Sequence, residues 1–101
     1  KNVGEASDMN RPLLISRLDS QDTSNKKRKI FFAIGGINTN EVSDRLIRVL
    51  HNCKFIDMND IVFKYNGVEL NITIQQVPVI IKMLCNENIS IYEVYQPYNP
   101  E

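Results

Sequence analysis

The sequence predicts an α+β domain in which two helices pack on one face of an antiparallel sheet. Three observations carry that expectation: strand-like alternation from Lys29 to Ile34, two stretches with helical apolar spacing, and an Asn-Gly pair between two alternating apolar runs. A chain of 101 residues builds one small domain and has no room for two cores.

Residues 1–28 read as a flexible N-terminal linker. Lys1–Asn10 has few apolar residues and Asp19–Asn25 is a polar stretch; between them Leu13, Leu14, Ile15 and Leu18 make one apolar turn or short strand that needs something to dock on. The basic run Lys26–Lys29 reads as the solvated flank of the strand that follows.

The domain is expected over 29–101. In its first strand Ile30, Phe32 and Ile34 share one face and Phe31 and Ala33 the other, and Gly35-Gly36 ends the run. Asn38-Thr39-Asn40 then supplies N-cap side chains for a helix whose stripe is Val42, Leu46, Val49, Leu50 and Cys53. Asn66-Gly67 suits a two-residue type I′ turn, because both central positions need positive φ. That turn pairs Tyr65 with Val68, Phe63 with Leu70 and Ile61 with Ile72 on one apolar face, and sets Lys64 against Glu69 on the other. A second helix is marked by Pro78 in its first turn and by Val77, Ile80, Ile81 and Leu84, with Asn86 or Asn88 closing it in a left-handed conformation. Ile89–Tyr95 is the last strand, stopped by Pro97 and Pro100.

The order is therefore β-α-β-β-α-β, two strand-helix-strand units joined by a hairpin. With right-handed crossovers this is the ferredoxin-like split arrangement, both helices on one sheet face. The expected core is Ile30, Phe32, Ile34, Leu46, Val49, Leu50, Phe63, Leu70, Ile72, Ile80, Ile81 and Leu84.

Twelve basic and twelve acidic side chains balance to zero, which argues against a general nucleic-acid binder. No apolar run approaches the roughly 18 to 20 residues of a membrane span, and no secretory signal opens the chain, so a soluble protein is expected. Cys53 and Cys85 read as free thiols, and His51 as a lone imidazole with no metal-ligand spacing around it. The phosphate-binding loop, dinucleotide fingerprint, nucleophile elbow and zinc-protease helix motifs are all missing from the sequence. Gly35-Gly36 reads as a turn that needs small residues, and Asp57 and Asp60 as solvated acids at an edge. A binding or regulatory module without catalysis, cofactor or metal is the expectation.

With the helices on one face, partners must act on the other. Strand alternation gives that face Phe31, Val62, Lys64, Glu69, Tyr92 and Val94, alongside Ala33, Asn71 and Thr73. Two aromatics and two valines rimmed by a Lys and Glu pair have the mixed character of an interface.

Residues 29–101 also carry a phrase from Ile80 to Val94, closing on Ile89-Ser90-Ile91-Tyr92-Glu93-Val94 with Pro97 soon after. In this the chain resembles the C-terminal accessory domain of drug- and antibiotic-export ABC transporter ATPases. The resemblance implies a non-catalytic accessory or regulatory role and a cytoplasmic place at the inner face of a membrane. The implied partner is the ATPase domain of a parent chain or a second copy, with membrane contact only through a permease. Two alternatives share the topology. A stand-alone ACT-type small-molecule sensor is compatible with the Gly35-Gly36-Ile37-Asn38 turn. An RRM-like RNA-binding module is suggested by Ile30–Ile34, although Val68–Ile74 offers no ring for a base to stack on, so no nucleic acid is expected.

Overall fold

The computed structural model describes residues 15–16 and 18–97 of the chain. Its strands are β1 (Ile15–Ser16), β2 (Arg28–Ile34), β3 (Ile61–Lys64), β4 (Gly67–Ile72) and β5 (Ile91–Pro97); its helices are α1 (Asn40–His51) and α2 (Val77–Asn86). The strands form one sheet in the order β1-β5-β2-β4-β3, and every pairing is antiparallel. The fold is α+β, with four strands of useful length, a two-residue fifth, and two helices.

Alternation along β2 decides which face is covered. Ile30, Phe32 and Ile34 point inward, and their partners across β4 continue the face with Val68, Leu70 and Ile72. These residues form one core cluster with Leu46, Val49 and Leu50 of α1 and Val77, Ile80 and Leu84 of α2, so both helices lie on the same side of the sheet.

The helix ends follow from local chemistry. Thr39 caps α1, its hydroxyl accepting the Val42 N–H at 3.4 Å. Pro78 sits at the start of α2, where its missing N–H leaves no bond unmade. The other end of α2 closes in a Schellman arrangement: Asn88 takes φ 61°, its N–H donates to Cys85 O at 3.0 Å, and the Ile89 N–H donates to Leu84 O at 3.0 Å. Leu84 and Ile89 are both buried beneath that turn.

Three expectations are corrected. The hairpin turns at Tyr65-Asn66, with Lys64 opposite Gly67 and Phe63 opposite Val68, one residue earlier than the Asn66-Gly67 turn. Asn88 is the only non-glycine residue with positive φ among those described, so the turn is not type I′. Moving a turn by one residue moves the pairing by two, so the inward set keeps its face. Next, Phe63 and Ile81 are not core. Phe63 faces inward on the outermost strand, where the helices no longer cover it, and it is 45% exposed; Ile81 is half-buried. Finally, Val94 faces the helices and packs against the core instead of joining the outer face.

That last change has a structural cause. Ala33 pairs with Glu93 but Ile34 pairs with Ile91, so Tyr92 is an extra residue in β5, a β-bulge. Beyond it the alternation is reset: Val94 stands beside Phe32 on the inner face and Tyr95 beside Phe31 on the outer one.

Of the expected N-terminal linker, residues 1–14 and 17, including Leu13 and Leu14, lie outside the described residues, as do Pro100 and Glu101 at the other end. Ile15 and Ser16 pair with Pro97 and Gln96 along β5, and Leu18 packs against the core. Gln75 donates to the Asp22 carbonyl at 2.9 Å, and the Arg28 guanidinium meets the Asp22 carboxylate at 3.0 Å. The Asp22 carboxyl is held down to about 2, foremost by the Ser24 hydroxyl and N–H and then by Arg28.

Candidate functional site

The sheet face away from the helices carries the site. At its centre Phe31 points outward from β2, beside Tyr95 of β5 and Glu69 of β4. No helix covers it, yet it is only 6% exposed. Two neighbours lie against it. The Tyr95 ring packs on it with centroids 5.2 Å apart and planes inclined at 47°, the tilted arrangement that aromatic quadrupoles favour. On the other side the strand partner of Ala33 is Gly67, and the ring lies where a side chain would stand: a Cβ at Gly67 would sit 2.7 Å from Phe31 Cζ and 3.0 Å from Ala33 Cα.

Around this pair lies an open concavity of about 330 Å³. Phe31 and Tyr95 are lined up with Pro97 along one side, and Lys64, Tyr65, Asn66 and Glu69 come from the hairpin on the other. Tyr65 stands on the rim at 89% exposure, because it occupies the turn and has no strand partner. The surface therefore offers two tyrosine rings beside a buried phenylalanine, one ammonium and one carboxylate. It can stack, bury an apolar side chain and bond to polar groups at its rim.

Of the residues expected on this face, Phe31, Lys64 and Glu69 meet at the concavity. Val62 shares the face one strand further out, opposite Glu69 and 47% exposed. Tyr92 stands at the bulge with 74% exposure, its ring 2.5 Å from where a Gly35 Cβ would be. Val94 is on the opposite face. The sequence reading missed Tyr95 and Tyr65, both expected elsewhere by unbroken alternation. One signal pointed to Tyr95: the inward residues Ile91 and Val94 are three positions apart, a spacing that only a bulge allows between two inward side chains.

Asp60 was expected to be a solvated acid and is buried. Its carboxylate accepts the Asp57 N–H at 3.0 Å and the Lys27 ammonium at 3.2 Å. Its pKa is lowered chiefly by the Asp57 N–H, with Lys27 and Asn71 also outweighing the opposing effect of burial. Asp60 thus fastens the basic run to the start of β3, a structural task. Asp57 is exposed, Cys53 is a buried free thiol, and Cys85 is an exposed one. Among the described residues no group of three or more His, Cys, Asp or Glu side chains is placed to hold a metal ion, and no helix is long and apolar enough to cross a membrane. A second hollow of about 260 Å³ lies between the C-terminal ends of the helices, lined by Arg48, Asn52, Met83 and Glu87 among others.

Comparison with protein-family models, curated proteins and solved structures gives no match for this chain.

Proposed function

We propose that the chain is a non-catalytic interaction domain of the ferredoxin-like split arrangement, and that its outer sheet face receives a segment of a partner protein. The strand order β5-β2-β4-β3, with a helix in the β2–β3 connection and another in the β4–β5 connection, supports the fold reading. The observation that carries the function is the aromatic floor: Phe31 and Tyr95 form a preformed ring pair on a face that no helix among the described residues covers, with Tyr65 exposed at its rim. Tyrosines with an apolar floor and a polar rim are the composition of protein interface centres. A segment presenting an apolar or aromatic side chain, flanked by groups for Lys64 and Glu69, is the occupant that fits. A nucleic-acid strand fits less well, because a carboxylate shares the hollow with its single ammonium.

An ABC-transporter ATPase as that partner rests on the likeness of Ile80–Val94 alone. A phosphate-binding loop in the reading frame upstream of Lys1 would support it, and a reading frame that starts within residues 1–28 would remove it.

The test uses a photo-cross-linking residue at position 65, with position 82 on α2 as control, in cells expressing the chain. A partner captured at 65 and not at 82 is then titrated as recombinant protein, and Tyr65→Ala should weaken its binding roughly tenfold. Equal capture at both positions, or an affinity untouched by Tyr65→Ala, would reject the site. Saturable low-salt binding of a single-stranded oligonucleotide that Tyr65→Ala abolishes would replace the protein partner with RNA or DNA.

A further inference from the structure

The two edges of the sheet are treated differently. On one side β5 is covered by β1, carries the bulge at Tyr92 and ends on Pro97, three devices that discourage further strand pairing. On the other side β3 pairs only with β4 and has no proline or bulge. Its outward N–H and C=O groups have no strand partner among the described residues. Exposed apolar side chains gather there too: Met58, Val62, Phe63 and Tyr65 lie within eight residues of one another at this edge.

We propose that β3 is a self-pairing edge, where a second copy of this chain joins antiparallel about a two-fold axis at Val62 and extends one sheet through both. The register follows from the side chains. An antiparallel pair about a two-fold axis perpendicular to the sheet must be centred on a residue, so that inner faces meet inner and outer meet outer. Centring on Val62 sets Val62 against its own copy on the outer face and Ile61 against Phe63 of the copy on the inner face, twice. It also sets each Lys64 opposite the copy's Asp60, the residue just before that strand, whose carboxylate is held by Lys27 and is 10% exposed. Centring on Phe63 would oppose Val62 to Lys64, and centring on Ile61 would oppose Val62 to Asp60. Only the Val62 register matches apolar with apolar and cation with anion. The strand ends on Lys64, and the acidic residues Asp57 and Asp60 lie in the turn before its start, a pattern that an antiparallel copy complements.

A four-residue edge buries less than a standard interface of about 800 Å² per partner, so the dimer forms at high protein concentration. Sedimentation equilibrium up to about 1 mM should show the mass rising from one chain toward two. Val62→Lys and Val62→Glu each place like charges face to face at the axis, and each should weaken self-association at least about tenfold while leaving the far-UV circular dichroism unchanged. Mixing the two variants in equal amounts should restore a dimer, now a heterodimer. A wild-type chain that stays monomeric to about 1 mM overturns the proposal. So does self-association that survives both substitutions, or two monomeric variants that do not pair when mixed.

Discussion

Phe32 and Phe31 are neighbours on β2, and both are buried, but the two faces of the sheet bury them by different means. Phe32 enters a core shared with both helices, where Val68, Leu46, Leu50 and Ile80 are also closed to solvent. Phe31 has a tyrosine on one flank and a glycine on the other, at the floor of the outer concavity. The inner face derives its stability from many aliphatic contacts at once, so it tolerates little rearrangement. The outer face depends on one ring pair and a missing side chain.

The largest effect tests the inner face. Leu70 is closed to solvent and lies between Ile30 on β2 and Ile61 on β3. Leu70→Ala should cost about 2 to 5 kcal/mol in urea denaturation. A loss under about 1 kcal/mol would show that the inner face lacks the tight packing that sets it apart.

A smaller effect tests the seat of Phe31. At Gly67 an added Cβ presses on the Phe32 carbonyl oxygen and approaches Ala33 Cα at 3.0 Å; both are backbone of the central strand and cannot rotate aside. Gly67→Ala should therefore cost about 1 to 3 kcal/mol and reduce the near-UV circular dichroism of the Phe31–Tyr95 pair. An unchanged spectrum with unchanged stability would mean that the ring pair does not depend on the glycine.

This glycine also shows where the sequence is legible and where it is not. Features set by nearby residues are readable: the Thr39 cap, Pro78 at the start of α2, the left-handed Asn88, and the helical stripe through Leu46, Val49 and Leu50. Asn66-Gly67 reads locally as a turn, but β2 is the strand that requires Gly67, because its backbone passes too close for a side chain. That requirement comes from a segment more than thirty residues away, so the turn falls one residue earlier. The exposure of Phe63 has the same kind of origin, since it depends on how far the helices reach across the sheet. At the candidate site, Phe31, Lys64 and Glu69 were legible because β2 and the hairpin keep strict alternation. Tyr95 was hidden by the bulge, and Val94 was assigned to the wrong face for the same reason.

The smallest expected effect decides whether that bulge separates the two faces as described. Tyr92 and Val94 would stand on the same side of an unbroken strand, and equal substitutions would then have similar consequences. With Tyr92 as the extra residue they differ: Tyr92 is exposed, whereas Val94 lies beside Phe32 against the core. Tyr92→Lys should change stability by no more than about 0.5 kcal/mol, because the ammonium stays in water. Val94→Lys must desolvate that ammonium or pull the strand outward, and should cost about 1 to 3 kcal/mol. Both are read from urea denaturation of otherwise identical chains. If the two lysines cost the same, the register of β5 is continuous, Tyr95 turns to the inner face, and Phe31 loses the ring that closes the outer one.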